Sequence, residues 1–141
     1  EGDFLELVAR RKALESEYRK KEVYDRLVFF GGVPLPVKSA PRGEGLCGIP
    51  SGGGTVVARV SLMNSAADTL VPGNIILTKR TDPGWISLFP LASGLIVEHG
   101  SMLSHSFVVA RELNLPAVVG IAGATEKIQN GALVRLDGLR G

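Results

Sequence analysis

The segment that most constrains the fold is residues 74–120, where short apolar runs alternate with helical segments. Three runs predict buried strands, namely Asn74–Thr78, Leu95–Glu98 and Ala117–Gly120. A helix with Asp82 as its N-cap lies between the first two runs, and a second helix begins at about His105. Strand–helix–strand–helix–strand connections are right-handed crossovers between parallel strands. The sequence therefore predicts an α/β fold with a parallel βαβαβ core.

Further strands are expected on both sides of this core. Apolar and polar residues alternate along Thr55–Leu62, and again along Ala132–Asp137 after an Asn-Gly turn. The glycine-rich segment Gly48–Gly54 precedes the first of these strands. No Gly-Lys-Ser/Thr follows it and no helix comes next, so it predicts a tight connection rather than a phosphate-binding loop. These strands complete the sheet.

The first 45 residues have a different character. Asp3–Arg26 contains no Pro or Gly, and residues 1–26 hold seven basic and seven acidic side chains, which predicts a neutral connector helix that docks one ragged apolar face on a neighbour. Phe29–Gly45 is rich in Pro and Gly and is expected to be a linker without helix or central strand. We therefore divide the chain into a connector helix with a linker, residues 1–45, and a domain, residues 46–141.

Composition excludes several classes of function. The net charge is only +2, and no basic stripe with interleaved aromatic residues predicts a nucleic-acid partner. Cys47 is the single cysteine, so neither a disulfide framework nor a cysteine-based zinc site can form, and a reducing, cytoplasmic compartment is expected. No apolar run approaches the roughly 20 residues that span a bilayer, and no signal-peptide pattern is present, so no membrane partner is expected.

His105 is the main candidate for chemistry. It is predicted in the first turn of a helix, where the macrodipole favours a neutral, nucleophilic ring and free backbone N–H groups attract anions. The hydroxyls of Ser101, Ser104 and Ser106 are expected to help hold such an anion, and Gly100 permits close approach of a partner. This pattern favours a histidine that carries a phosphoryl group. From these residues alone, a purely structural histidine stays an open alternative.

Two other chemistries fit less well. No Gly-x-Ser-x-Gly elbow predicts a serine hydrolase, and serines adjacent to His105 cannot readily use it as their base. A metal site would need His99 and His105 with a carboxylate such as Glu98 or Asp82. Their spacing fits no established zinc pattern, so no metal site is predicted.

Four motifs in order carry a resemblance to a known family: Thr81-Asp82-Pro83-Gly84-Trp85, Gly94-Leu95-Ile96-Val97-Glu98, Leu103-Ser104-His105, and the run from Ala110-Arg111-Glu112 to Val119-Gly120. They resemble the phosphohistidine swivelling domain of phosphoenolpyruvate-utilising enzymes, a family that includes phosphoenolpyruvate synthase and rifamycin-inactivating phosphotransferases. The resemblance covers roughly residues 46–138. It implies a swivelling β/β/α domain with His105 as the phosphoryl acceptor. It also implies that Thr81 lies near that histidine and that Arg111 contributes charge or only structure.

The resemblance further implies the surroundings of the domain. An ATP-grasp domain of the same parent chain would use ATP and magnesium to phosphorylate the histidine, and the domain would then swing to a second-substrate domain. The swivelling domain itself is expected to bind no cofactor. Its final acceptor stays open: pyruvate, an antibiotic hydroxyl or another small molecule.

This chain departs from the family pattern at two places. The family has Gly-Gly where this chain has Gly100-Ser101, and Ser-Pro-Gly where it has Ser51-Gly52-Gly53. The second difference is expected to change only a turn. Ser101 lies within reach of the expected phosphate and keeps an alternative open, in which a non-catalytic docking or regulatory domain retains the fold.

Overall fold

The computed structural model describes residues 2–20, 27–30, 33–36 and 45–141 of the chain. The chain forms two compact units, Glu1–Ser39 and Ala40–Gly141. The division falls inside the segment that the sequence predicted as a linker. Among the described helices, none combines the length and the apolar character that a bilayer crossing requires.

The first unit contains helix α1, Gly2–Arg19, and strands β1, Leu27–Phe30, and β2, Val33–Pro36. The sequence predicted a helix over Asp3–Arg26; α1 ends at Arg19, and residues 21–26 lie outside the described residues. The apolar side chains of α1 from Phe4 to Tyr18 are mostly exposed, and its charges include an Arg19–Glu15 ion pair one turn apart.

The linker prediction for Phe29–Gly45 excluded a helix and a central strand but named no hairpin, and the structure has two edge strands at its start. β1 and β2 pair antiparallel, with Leu27 opposite Pro36 and Phe29 opposite Pro34. Proline cannot donate to a ladder, but the two prolines are two residues apart, so both nitrogens face the same side of β2. In a two-stranded sheet the outer edge of each strand makes no ladder hydrogen bonds. A Pro-x-Pro pattern is compatible with a strand whose proline nitrogens lie on that outer edge.

The second unit is built on a six-stranded sheet. Its strands are β3, Ile49–Pro50; β4, Thr55–Leu62; β5, Ile75–Thr78; β6, Gly94–Val97; β7, Ala117–Val119; and β8, Leu133–Asp137. The spatial order is β3-β7-β6-β5-β4-β8. Strands β4 to β7 are parallel, whereas the outer strands β3 and β8 are antiparallel to their neighbours. The predicted parallel βαβαβ core with additional strands is confirmed.

Strand β4 joins two β layers. Its carboxyl-terminal part, Val60–Leu62, pairs with β5, while its amino-terminal part, Thr55–Arg59, pairs with β8. β8 therefore lies over one face of the parallel strands, where Leu136 joins their apolar cluster. The approach is so close that a Cβ on Gly94 would lie 2.7 Å from Leu136 Cδ2. With helices on the opposite face, this is the β/β/α arrangement that the resemblance implied.

The core strands bury both faces. Ile76, Leu95, Val97, Ala117 and Val119 pack towards the helices, together with Trp85, Phe89, Phe107 and Ala110. The intervening residues Ile75, Leu77, Ile96 and Val118 pack towards β8, because successive strand residues point to opposite faces. Burial on both sides explains why these strands are continuously apolar in sequence.

The first crossover is a 3₁₀ helix, Pro83–Leu91, rather than an α-helix. Asp82 caps it as predicted: its Oδ1 accepts from the Gly84 amide at 2.8 Å, and its Oδ2 accepts from Trp85 Nε1 at 3.2 Å. Pro90 lies in the last turn, where it cannot donate a backbone hydrogen bond. The segment ends one residue later, at Leu91.

The second crossover is helix α2, His105–Glu112. Asn114 lies one residue after the cap residue Leu113 and adopts a left-handed conformation at φ 52°. The Leu115 amide donates to the Ala110 carbonyl at 2.8 Å, and the Asn114 amide donates to the Arg111 carbonyl at 3.0 Å. This pair of hydrogen bonds is a Schellman motif, which ends α2 before the chain enters β7. A short helix α3, Ala124–Lys127, follows β7.

Candidate functional site

The candidate residues gather at the carboxyl edge of the parallel sheet. Three loops leave this edge, Lys79–Asp82 after β5, Glu98–Ser104 after β6 and Gly120–Gly123 after β7. Parallel strands place the loops that follow them at one edge, and open α/β sheets bind ligands there. The topology therefore brings Thr81, in the first loop, to the edge where the second loop leads into α2.

His105 is the first residue of α2 and its side chain is exposed. Ser104 precedes it as N-cap in an extended conformation. The amides of Phe107 and Val108 both donate to the Ser104 carbonyl, at 3.0 and 3.1 Å. Within residues 45–141, the His105 ring and the amides of His105 and Ser106 have no hydrogen-bond partner. The predicted position at a helix N-terminus is confirmed, with free donors beside an accessible ring.

The three nearby serines differ in what they offer. Ser101 is exposed and shapes the loop: its Oγ accepts from the Leu103 amide at 3.3 Å, and its carbonyl accepts from the Ser104 amide at 3.0 Å. Ser104 is half-buried, and its hydroxyl does not cap α2. Ser106 is only 3% exposed. This residue therefore offers little surface to a ligand, and the supporting role of its hydroxyl stays a prediction.

Thr81 and Arg111 occupy different positions relative to His105. Thr81 is half-buried and immediately precedes the capping residue Asp82 at the carboxyl edge. Arg111 is exposed in the last turn of α2, six residues from His105 and therefore about 9 Å further along the helix axis. A cation at this end of the helix complements the macrodipole, which favours the structural role for Arg111. Thr81 stays a predicted supporting residue.

Glu98 is the site residue that sequence reasoning missed. It is the first residue after β6 and is 8% exposed. Oε2 accepts two hydrogen bonds from Thr125, from the amide at 3.0 Å and from Oγ1 at 2.6 Å. Oε1 lies 3.5 Å from His99 Nε2. Because Thr125 lies in α3, the carboxylate joins the end of β6 to the segment that follows β7.

The electrostatics of Glu98 keep it ionised. Burial by itself would raise the pKa of this carboxyl, but the side-chain and backbone hydrogen bonds from Thr125 lower it. Coulombic interactions with His99 and Lys79 add to this lowering, and the net pKa of Glu98 lies below its ordinary value. A buried carboxylate with satisfied hydrogen bonds is a fixed structural anchor.

The base of the loop that carries His105 is held at three points. Besides Glu98, the His99 amide donates to the Lys79 carbonyl at 2.8 Å. Gly100 lies against β7, where an added Cβ would come within 3.1 Å of Val119 Cβ. Beyond Gly100, residues Ser101–Leu103 are exposed. His105 thus follows a loop whose base, Glu98–Gly100, is held in place and whose tip, Ser101–Leu103, is exposed.

A sequence signal for Glu98 existed. A charged residue that ends an apolar strand is buried only at a high free-energy cost unless it is paired, so it indicates a partner elsewhere in the fold. The partner could not be identified because Thr125 is 27 residues away.

Among residues 2–20 and 45–141, no three His, Cys, Asp or Glu side chains are grouped closely enough to hold a metal ion.

Residues 70–141, just over half of the chain, match the family described as PEP-utilising enzyme, mobile domain. The structure is that of a β/β/α domain with an exposed histidine at the carboxyl edge of its parallel strands. This chain belongs to the mobile-domain family of phosphoenolpyruvate-utilising enzymes.

Curated relatives share this segment. A phosphoenolpyruvate synthase of Aeropyrum pernix is 39% identical over 112 residues, which are 77% of this chain and 14% of that protein. A rifampicin phosphotransferase of Bacillus cereus is 40% identical over 99 residues, which are 70% of this chain and 11% of that protein. The chain therefore spans about a seventh or less of the length of these two relatives.

A solved structure shows the same fold. One chain in the crystal structure of holo-form aconitase X from Thermococcus kodakaraensis superposes with a TM-score of 0.56. The alignment covers 68% of this chain and 93% of that chain, at 18% sequence identity. At this identity the likeness concerns the fold alone.

Proposed function

We propose that this chain provides the phosphohistidine carrier domain of a multidomain ATP-dependent phosphotransferase. His105 takes a phosphoryl group from ATP held with magnesium by an ATP-grasp domain of the same protein, and delivers it to an acceptor at a second active site. The observation that carries the proposal is the His105 ring, which is exposed at the first position of α2 beside two amides without partners among residues 45–141.

The transfer step needs only what this site offers. The lone pair of an unprotonated ring nitrogen of His105 forms a bond to phosphorus while a P–O bond of the nucleotide breaks. The electrons of the P–O bond leave with the nucleotide oxygen, and the remaining N–H proton of the ring passes to water at the exposed face of His105, which leaves a neutral phosphorylated ring. The amides of His105 and Ser106 are donors for the phosphoryl oxygens at the positive end of the helix.

Exposure of His105 supports a carrier rather than a self-contained active site. A group that must enter two different sites has to project from its own domain, and the contacts of Glu98, His99 and Gly100 hold the base of the loop that leads to it. The donor and acceptor sites are proposed on other parts of the parent protein. The relatives named above are about seven to nine times longer than the segments they share with this chain.

Labelling of the full-length protein that carries this chain tests the proposal. Incubation with ATP and magnesium should place phosphate on His105 that is labile in acid and stable in alkali. His105→Ala should abolish the label, whereas His99→Ala, which alters the other histidine, should keep it. Full labelling of His105→Ala would show that the proposed acceptor is wrong.

A chase experiment separates the carrier from the alternative, a docking or regulatory domain that keeps the fold without transfer. The labelled protein is mixed with pyruvate or with rifampicin, the acceptor classes suggested by the names of the relatives. Loss of phosphate from His105 with appearance of a phosphorylated acceptor supports the carrier and names its substrate class. A label that persists with both acceptors supports the docking or regulatory domain, the alternative that the Gly100-Ser101 sequence keeps open.

A further inference from the structure

Thr125 connects two elements that pack on opposite faces of the parallel sheet. It belongs to the short helix α3, in which the preceding residue Ala124 is buried in the apolar cluster on the β8 side of the sheet. Helix α2 packs on the other face through Phe107. Glu98, the first residue after β6, accepts hydrogen bonds from Thr125 and also begins the loop that leads to α2. The contact between Glu98 and Thr125 therefore joins α3 to the segment that carries the reactive histidine.

This contact completes the hydrogen bonding of α3, which has only four residues. The amides of its other three residues donate to the backbone carbonyls of Ile121 and Gly123. The Thr125 amide donates to Glu98 Oε2 at 3.0 Å, because the N-cap residue Gly123 has no side chain that could accept it. A helix this short gains little from its own backbone hydrogen bonds, so its position depends on contacts such as this one.

The Thr125 hydroxyl makes the shorter of the two hydrogen bonds. Its Oγ1 lies 2.6 Å from Glu98 Oε2, a distance typical of a hydroxyl that donates to a charged carboxylate. Glu98 is buried, so water cannot readily replace a lost donor. Removal of the hydroxyl would leave Oε2 with the Thr125 amide alone, and the carboxylate would hold its orientation less tightly.

The loop between Glu98 and His105 passes such a change on to the histidine. Six residues separate the two. The tip of the loop, Ser101–Leu103, is exposed, and its hydrogen bonds to the Ser101 hydroxyl and carbonyl are made within the loop. A tip of this kind moves with its base, so a displacement of Glu98 changes the direction in which α2 begins.

We infer that Thr125, acting through Glu98, is a positioning residue for phosphoryl transfer to His105. This inference rests on the proposed function. Transfer requires the attacking ring nitrogen to be aligned with phosphorus, and a misplacement of about 1 Å can lower the rate roughly a hundredfold. In this role Thr125 touches neither the ring nor the phosphoryl group. It restricts the orientations of the loop base, and so increases the fraction of time that the ring spends in the productive orientation.

Single-turnover labelling of the full-length protein with ATP and magnesium tests the inference, because it measures two separate quantities. The rate constant reports how well the ring is aligned, whereas the final fraction of labelled protein reports how much of it is folded. Thr125→Val keeps the shape of the side chain and removes the hydroxyl. It should lower the rate constant at saturating ATP about tenfold, less than the largest effect of misplacement, because the Thr125 amide still binds Glu98. The ATP concentration that gives half of the maximal rate should stay the same, since another domain holds the nucleotide.

Matched variants complete the test. Thr125→Ser keeps the hydroxyl and should restore most of the rate constant. Glu98→Gln removes the charge of the acceptor and should also lower the rate constant; because both changes act at one contact, the double variant should be no slower than the slower single variant. Two controls should keep the native rate constant. Thr55→Val makes the same chemical change at an exposed residue of β4, and Gly53→Ala destabilises the fold beside Leu115, before β7 begins.

Three results would overturn the inference. If Thr125→Val and Glu98→Gln lower only the fraction of labelled protein and not the rate constant, the contact stabilises the fold without positioning the ring. If Thr125→Ser is as slow as Thr125→Val, the hydroxyl is not the group responsible. If Gly53→Ala slows the reaction to the same extent, any loss of stability has this effect. Absence of ATP-dependent labelling in the unsubstituted protein would instead overturn the proposed function, so the two failures are distinguishable.

Discussion

Replacement of Glu98 by glutamine tests whether the anchored base of the loop depends on a buried negative charge. The glutamine side chain introduced by this substitution keeps the shape of the glutamate side chain and one acceptor oxygen, but it cannot be ionised. In the native protein Oε2 accepts both hydrogen bonds from Thr125, at 3.0 and 2.6 Å. Hydrogen bonds to a charged group contribute roughly 1.5–3 kcal/mol. We expect Glu98→Gln to lower the free energy of unfolding near neutral pH by about 2 kcal/mol.

The pH dependence has a definite sign. The pKa of Glu98 is lower in the folded protein than its ordinary value of 4.5, so the unfolded chain binds a proton more tightly. The stabilising effect of the charge is therefore complete above about pH 4.5 and is lost as the pH falls through the folded-state pKa. The difference in stability between the native protein and Glu98→Gln should shrink over that acidic range.

Urea unfolding of the 141-residue chain at a series of pH values measures this difference. Glu112→Gln serves as the control, because Glu112 is exposed at the end of α2 and its loss should change stability by no more than about 0.5 kcal/mol. Thr125→Val, alone and with Glu98→Gln, measures the coupling between the two partners. A difference that stays constant from neutral to acidic pH, or a double variant that is simply additive, would refute the reasoning.

Two further substitutions test the fold around the site. Gly53 has a φ of +76°, and an added Cβ would lie 2.6 Å from the backbone carbonyl carbon of Leu115. Gly53→Ala should therefore lower the free energy of unfolding by about 2 kcal/mol or more. A chemical denaturation midpoint equal to that of the native protein would contradict this. Asp82→Ala removes the acceptor of the Gly84 amide and of Trp85 Nε1, and should cost about 1–2 kcal/mol. Because Trp85 is the single tryptophan, its fluorescence should change in the Asp82→Ala variant, and an unchanged emission spectrum would show that the indole contact is unimportant.

Much of the second unit followed from local pattern. β4 was predicted as Thr55–Leu62 and begins and ends at those residues. The Asp82 cap, the start of α2 at His105 and the parallel order of the three central strands were also predicted correctly. These features depend on side-chain alternation, on capping chemistry and on the handedness of crossovers, all of which act over short stretches of chain.

Other features depended on contacts that local pattern does not encode. The β1–β2 hairpin was missed because its Pro-x-Pro sequence resembles a linker unless its pairing partner is known. The burial of Ser106 was not predicted, because the side of α2 that packs on the sheet is set by the neighbours of the helix. Glu98 was considered only as a candidate metal ligand before Thr125 was known to lie beside it.

The sequence by itself determined the order of the main strands and helices from β4 to β8, the helix start at His105 and, through its motifs, the family. Only the tertiary structure decided that β4 divides its pairing between β5 and β8, that Glu98 is anchored by Thr125, and that Leu103 remains exposed beside the histidine. The physical reason is range. Periodicity and capping are properties of neighbouring residues, whereas burial and pairing are set by segments far apart in sequence that folding brings together.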